Sequence, residues 1–272
     1  MVPKLVALSQ AAGAAILAVY QAHNLRVEHK ADASPVTQAD LAAHRIIVTG
    51  LAQAWPQIPI ISEEGELPDF AQRRQWPTYW LVDPLDGTRE FIAGNGEFTV
   101  NIALIEAGQP VLGVIYVPVT GQCYTGIRGL GAFKNQPDSA AFTPIHPRAL
   151  APRLAQRQPV EVIASRRVGN VALEALLAKL GQNLGPLIRR SMGSSLKLCL
   201  LAEGQADFYP RLGPTSEWDT AAAQAILEAA GGAVVDTQFQ PLRYNQKASV
   251  LNPDFYALAD SNFAWQHLLA KA

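Results

Sequence analysis

Cysteine, paired histidine and net charge are all scarce in this 272-residue chain, and each shortage removes a class of protein. Two cysteines, Cys123 and Cys199, are too few and too isolated for a disulfide framework or a thiolate zinc site, and a reducing cytoplasm suits them. The five histidines (His23, His29, His44, His146, His267) show no metal-ligand pairing, so any metal would be held mainly by oxygen. With 22 Lys+Arg against 23 Asp+Glu the formal net charge is -1. No diffuse field gathers nucleic acid or anionic lipid, and a polyanionic ligand would need a few placed groups. Long apolar runs are lacking as well, apart from the stretch Leu5 to Tyr20. There Leu5, Leu8, Ala12, Ile16 and Val19 recur at helical spacing, while Ser9 and Gln10 interrupt the run. A helix of a globular domain is expected, with neither a cleaved signal nor a transmembrane segment.

What remains is an ordinary globular composition, 49% hydrophobic and 17% charged, long enough for one large domain or two smaller ones. Thr37 opens a second helix with Leu41, Ile47, Val48 and Leu51 on its apolar face. Short strands are expected at Ile58 to Ile61 and Tyr79 to Val82, then an antiparallel hairpin of Phe98 to Ile105 and Val111 to Val117, extended by Cys123 to Ile127 and Ala132-Phe133. Pro137, Pro144, Pro147 and Pro152 lie in a stretch without periodicity, which places a boundary near residue 145. The second half alternates: strands at Val160 to Ala164, Pro186 to Arg190 and Ala206 to Tyr209, helices at Val171 to Leu180, Ser194 to Ala202 and Asp219 to Ala230, and short strands near Val234 and Tyr256. An α+β unit (1–145) followed by an α/β unit (146–272) is the expectation.

The segment Asp83-Pro84-Leu85-Asp86-Gly87-Thr88 sets two carboxylates three residues apart at a strand end, where sites are commonly built. Its peptide groups can offer a carbonyl to a cation and N–H groups to an anion. The same residue types also make a plain turn. Glu63-Glu64 follows another strand. Asp219 opens a helix and could serve only its dipole, and Asp40, three residues after Thr37, could be only a capping acid. If Glu63, Asp83, Asp86 and Asp219 converge, their repulsion calls for hard divalent cations, and oxygen-only ligands suit Mg²⁺. Phosphate chemistry with two ions becomes the natural expectation.

These residues resemble the Mg²⁺-dependent, lithium-sensitive phosphatase superfamily that includes inositol monophosphatase and fructose-1,6-bisphosphatase. Three ordered motifs carry the likeness: Asp-Pro-x-Asp-Gly-Thr at 83–88, an upstream Glu-Glu at 63–64 and Trp218-Asp219-Thr220-Ala221-Ala222. Ser34-Pro35-Val36-Thr37 with Ala39-Asp40, Glu90-Phe91, Asn95 to Asn101, Gly193-Ser194-Ser195-Leu196-Lys197 and Tyr209-Pro210-Arg211 look most like the bacterial 3'(2'),5'-bisphosphate nucleotidases. The resemblance spans nearly the whole chain and implies a layered αβαβα sandwich of inositol monophosphatase type with two sub-domains.

It further implies Glu63, Asp83 and the Leu85 carbonyl as ligands of a first Mg²⁺, with Asp83, Asp86 and Asp219 for a second. Thr88, with Asp40 and Glu63, would orient and deprotonate water, and the Gly87 and Thr88 N–H groups would hold the scissile phosphate. Glu64 is a supporting candidate beside the ligands. Gly193, Ser194, Ser195 and Lys197 would receive the phosphate that is not cleaved, with Arg211 as a second contact; Arg190 and Arg166 stay outside the site. For Lys197 and Arg211 the alternative is an ordinary surface cation. The implied reaction converts adenosine 3',5'-bisphosphate to AMP and phosphate, with the 3'-phospho form of adenylyl sulfate as a further substrate, and so clears a by-product of sulfate assimilation. Relatives at the inner face of the bacterial membrane add the expectation of a cytosolic or loosely peripheral enzyme. The alternatives are an inositol or sugar monophosphatase on the same fold and, from another class, a two-carboxylate glycosidase. An EF-hand is excluded by Leu85 and Gly87 at ligand positions, and an Asp-x-Asp phosphatase by the spacing.

Overall fold

A computed structural model describes residues 1–22, 27–29, 35–135, 141–164 and 170–269. His23, Ser34, Pro137 and Arg166 lie outside the described residues. Two helices, α1 (Val2–Gln21) and α2 (Gln38–Ala54), flank a small antiparallel pair, β1 (Val27–His29) and β2 (Pro35–Thr37). Then come β3 (Ile60–Ser62), α3 (Phe70–Arg73), β4 (Thr78–Asp86) and α4 (Thr88–Ile92). The meander follows: β5 (Thr99–Glu106), β6 (Gln109–Val117), β7 (Gln122–Ile127), β8 (Gly131–Asn135) and β9 (Phe142–Ile145). The second half holds α5 (Leu150–Ala155), β10 (Val160–Ala164), α6 (Val171–Leu184), β11 (Leu187–Ser191), α7 (Leu196–Ala202) and β12 (Phe208–Arg211). The chain continues with α8 (Glu217–Ala230), β13 (Ala233–Asp236), β14 (Phe255–Leu258) and α9 (Trp265–Leu269). The expected elements are present; β1, β2, α3, α4, β9, α5 and α9 are additions, each too short to show a period in the sequence.

Strands β3 to β9 form a seven-stranded sheet in sequence order, with β3 parallel to β4 and the rest antiparallel. A second, five-stranded mixed sheet has the order β11-β10-β12-β14-β13. The central strands of the first sheet are apolar on both faces. Trp80, Val82, Val100, Ile102 and Val114 pack with Leu5, Ile16, Ile47 and Leu51 of α1 and α2. Tyr79, Leu81, Ala103, Ile105 and Ile115 pack with Leu198 of α7 and Ala222 and Ile226 of α8. Beyond α7 and α8 lies the second sheet, whose far face packs on α5, α6 and α9 through Leu150, Leu176, Phe208 and Trp265. The order of layers is therefore α, β, α, β, α. Sheets covered on both sides explain why these strands read as unbroken apolar runs.

Helix α8 is seated by a glycine pair. Gly113 and Gly126 are cross-strand partners on β6 and β7. A Cβ at Gly113 would meet the Ala222 carbonyl oxygen at 2.2 Å, and one at Gly126 the Ile226 Cα at 2.4 Å. The helix backbone thus rests directly on the sheet, which fixes where its N-terminus, and Asp219, will stand. Among the described residues α1 is the one helix long and apolar enough to cross a membrane; Leu5, Leu8, Ser9, Ala12, Gly13 and Ile16 line its buried face.

Candidate active site

Register explains why an Asp-x-x-Asp spacing can serve one site. On β4, Asp83 pairs with Asn101, but Asp86 pairs with Thr99, so three steps on one strand oppose two on the other. This bulge at Pro84 and Leu85 sends the Leu85 side chain into the α1/α2 core and brings Asp86 to the face Asp83 already occupies. Because β3 runs parallel to β4, the residue after its end, Glu63, arrives beside them, its N–H bonded to the Val82 carbonyl at 3.1 Å. Gly87 then takes a left-handed conformation (φ 94°) and starts α4 at Thr88.

Two helix starts deliver the remaining acids, and both do so with a third-position carboxylate that caps its own helix. In α2, Asp40 Oδ2 accepts from the Thr37 N–H (2.8 Å) and hydroxyl (2.5 Å), while Thr37 Oγ1 accepts from the Ala39 N–H. In α8, Asp219 Oδ2 accepts from the Ser216 N–H at 3.0 Å. The capping roles anticipated for both are real, and both residues also reach the site. Asp40 Oδ1 accepts a hydrogen bond from Thr88 Oγ1 at 3.0 Å, and Asp219 lines the cavity.

That cavity has a volume of about 420 Å³ and includes Glu63, Asp83, Leu85, Asp86, Gly87, Thr88, Ser194, Ser195, Lys197, Arg211 and Asp219 in its wall. One carboxylate oxygen each from Glu63, Asp83 and Asp219 lies within 4.8 Å of the others. Asp86 stands outside that triplet, with Oδ2 accepting from the Ser195 N–H (2.6 Å) and the Asn101 amide (3.3 Å). Glu64 occupies the turn with Glu63 and is not part of the cavity wall.

Burial, joined by repulsion from Glu63, Asp86 and Asp219, pushes the Asp83 carboxyl well above the usual carboxylate range. Asp219 is pushed up to about 8 by burial and by Asp86. Burial also raises Asp86, against the opposing pull of Lys197, Asn101 and Ser195, and raises Asp40 against its bonds from Thr37 and Thr88. Acids crowded and buried in this way, with no histidine or cysteine among the described residues of the wall, fit a hard divalent cation.

The other end of the cavity differs from expectation in one respect. The Gly193 N–H donates to Glu97 Oε2 at 2.5 Å and the Ser195 N–H to Asp86, so neither points at an external anion. The Ser195 hydroxyl bonds Asn101 Oδ1 (2.9 Å) and Thr99 (2.8 Å), and α7 starts only at Leu196. Ser195 is thus a brace on the acidic loop and Gly193 is tied to Glu97, while Ser194 stays in the cavity wall. Lys197 Nζ donates to the Ser194 carbonyl at 2.7 Å and stands 5.7 Å over the Tyr209 ring, while Arg211 donates to the Pro214 carbonyl. Arg190 lies elsewhere, paired with Glu161.

Sequence reasoning missed several wall residues, among them Arg89, Glu90, Met192, Thr215 and Phe255, and it missed the structural part of Asn101. A polar Asn inside the apolar run Thr99 to Ile105 was the available signal for the latter.

The inositol monophosphatase family matches residues 2–270. The chain belongs to that family. Among family relatives, a protein of Escherichia coli K12 named 3'(2'),5'-bisphosphate nucleotidase CysQ is 46% identical over 256 residues, covering 94% of this chain and 98% of the relative. The protein of the same name from Haemophilus influenzae is 36% identical over 90% of this chain and 87% of its own length. The crystal structure of CysQ from Bacteroides thetaiotaomicron superimposes with a TM-score of 0.81 at 41% identity, covering 96% of this chain and 97% of that one. That of the extragenic suppressor protein SuhB from Bartonella henselae gives 0.77 at 26% identity, over 100% and 98%. The layered α/β fold of inositol monophosphatases is thereby established, and metal dependence is general to the family.

Proposed function

We propose that this protein is a Mg²⁺-dependent phosphatase that removes the 3'-phosphate of adenosine 3',5'-bisphosphate to give AMP and phosphate, and that it also accepts the 3'-phospho form of adenylyl sulfate. The observation that carries the reaction is the convergence of the Glu63, Asp83 and Asp219 oxygens next to the Thr88–Asp40 hydrogen bond. The substrate rests on the near-full-length identity to proteins named as bisphosphate nucleotidases. The same likeness supports a role in sulfate assimilation and a cytoplasmic or loosely peripheral enzyme.

Glu63, Asp83 and the Leu85 carbonyl would hold one Mg²⁺, and Asp83, Asp86 and Asp219 another. Bound there, the ions supply charge neutralisation and Lewis acidity. The chain's own groups do the rest. Thr88 spends its hydroxyl proton on Asp40, so its oxygen is left as an acceptor that orients water and relays a proton toward the Asp40 carboxylate. Glu63 is the second acceptor beside that water. The N–H groups of Gly87 and Thr88 receive phosphate oxygens, an arrangement the left-handed Gly87 permits. Lys197 and Arg211, cations on the same wall, receive the second phosphate. In this division residues 1–145 supply most of the acids, while residues 146–272 supply the substrate contacts and Asp219.

The test is phosphate release from adenosine 3',5'-bisphosphate and from inositol 1-phosphate in parallel, each with Mg²⁺, with EDTA, and with Mg²⁺ plus lithium. Preference for the nucleotide, abolished by EDTA and inhibited by lithium, is expected. Preference for inositol phosphate would keep the metal site and replace the substrate. Turnover that survives EDTA would remove the metal reading altogether.

A further inference from the structure

Asp219 sits in the first turn of α8, and that turn is held from behind by residues outside the cavity wall. The Glu217 N–H donates to the Val250 carbonyl at 2.8 Å, and Glu217 Oε2 accepts from the Asn245 N–H at 2.9 Å. Asn252 adds bonds from its amide to the Ser216 carbonyl (2.8 Å) and to Thr220 Oγ1 (3.0 Å). Segment 244–252 is therefore the cradle of the helix start, although it has no regular secondary structure beyond an isolated bridge at Leu251. What gives an irregular segment a fixed shape is Arg73, from the end of the four-residue α3. Its guanidinium donates to Asn245 Oδ1 and to the carbonyls of Lys247 and Ala248, and Asn245 Nδ2 returns a bond to the Arg73 carbonyl at 2.6 Å.

Arg73 is 1% exposed and Glu217 2%. A buried cation and a buried carboxylate joined through a neutral amide form an expensive arrangement, and an apolar set of the same shape would pack at lower cost. The expense goes into geometry. Asn245 has φ 58°, a left-handed conformation that Asn tolerates and that turns its N–H to Glu217 while its side chain faces Arg73. The line of contacts runs Arg73, Asn245, Glu217, first turn of α8, Asp219.

We propose that Arg73 and Glu217 are positioning residues for the cation site: the buried Arg73–Asn245–Glu217 relay fixes the first turn of α8 so that the Asp219 carboxylate stays within shared-ligand distance of Glu63 and Asp83. The inference rests on the cation-site reading above. Both charges matter, because charge-assisted hydrogen bonds hold a position more tightly than neutral ones of the same shape; burial pushes the Glu217 carboxyl up to about 7, so its charge is complete only above that pH. Glu217→Gln keeps the volume and one acceptor oxygen for the Asn245 N–H, exchanges the other oxygen for an NH2 group and removes the charge. Arg73→Met keeps an unbranched apolar stem and removes the guanidinium with its donors.

The experiment is Mg²⁺ titration by calorimetry of the wild type, Arg73→Met, Arg73→Lys and Glu217→Gln, checked by Mn²⁺ electron paramagnetic resonance, with melting temperatures in EDTA alongside. Arg73→Met is expected to weaken Mg²⁺ binding about tenfold or more and Glu217→Gln about threefold or more, with Arg73→Lys between wild type and Arg73→Met. At saturating Mg²⁺, kcat should return to within about twofold of wild type with KM for the nucleotide unchanged. Melting temperatures that fall while Mg²⁺ affinity stays within twofold would overturn the proposal and leave a purely structural role. If Arg73→Met does not fold, the isosteric Glu217→Gln decides by the same criterion. A wild type that binds no divalent cation would instead sink the cation site itself.

Discussion

The Thr88 hydroxyl donates to Asp40 Oδ1 at 3.0 Å while the other oxygen of Asp40 closes the cap of α2, so one carboxylate joins a helix start to the wall of the acidic cavity. The two duties can be separated. Thr88→Val removes the hydroxyl without touching the cap and should lower kcat by about 10²–10⁴ with the melting temperature nearly unchanged. Asp40→Ala should lose activity to the same degree and also destabilise by about 0.5–2 kcal/mol through the lost cap. Kinetics and calorimetry on the two variants check this; equal destabilisation would mean the hydroxyl is structural.

Lys197 faces the cavity from the first turn of α7, where its charge already acts on Asp86. Lys197→Ala should raise KM for adenosine 3',5'-bisphosphate by about tenfold or more, the scale of one charged contact. Turnover of a substrate with a single phosphate should change far less. Parallel kinetics on the two substrates decide the point, and equal losses on both would remove Lys197 from the second-phosphate site.

Much of the site was legible because its acids stand at recognisable punctuation: strand ends for Glu63 and Asp83, helix starts for Asp40 and Asp219. Capping and site-building are compatible there, since a third-position carboxylate has two oxygens and needs only one for the cap. The brace from Ser195 was not legible. That Ser195 gives its N–H to Asp86 depends on two chain segments 109 residues apart meeting, and nothing in the local pattern separates that from a free helix start. Arg73 was hidden for a similar reason, because an Arg-Arg pair after a short polar stretch reads as surface. The short elements α3, α4 and α5 fall below the length at which periodicity can speak.

The crowded acids give the metal-free protein a defined pH dependence. Asp83, Asp86 and Asp219 are all raised in the folded state, the last to about 8, so the folded chain holds these protons more tightly than the unfolded one. Stability without metal should therefore fall as pH climbs from about 4 toward 8. Mg²⁺ competes with those protons and should stabilise more as they leave. At about 100 times its dissociation constant, a ligand contributes about 2.7 kcal/mol, or roughly 5–10 °C in a domain of this size. Scanning calorimetry with EDTA and with Mg²⁺ should show a clearly larger increment at about pH 8 than at about pH 5.5. Equal increments would mean that the raised carboxyls are not the ligands.

The glycine pair beneath α8 ties packing to the same site. A side chain at Gly126 would meet the helix backbone itself, the Ala225 carbonyl oxygen at 2.7 Å and the Ile226 Cα at 2.4 Å, and a backbone held from both layers has little room to move. Gly126→Val should cost about 3 kcal/mol, at the upper end of ordinary overpacking, and lower the melting temperature by about 6–12 °C. Because displacement of α8 carries Asp219 with it, Mg²⁺ affinity should fall in the molecules that remain folded. Gly181→Ala, inside α6 with nothing nearer than 3.9 Å, is the contrasting case and should be neutral or stabilising by about 0.5–1 kcal/mol. If Gly126→Val lost stability but bound Mg²⁺ as the wild type does, the seat of α8 on the sheet would matter for folding and not for the placement of Asp219.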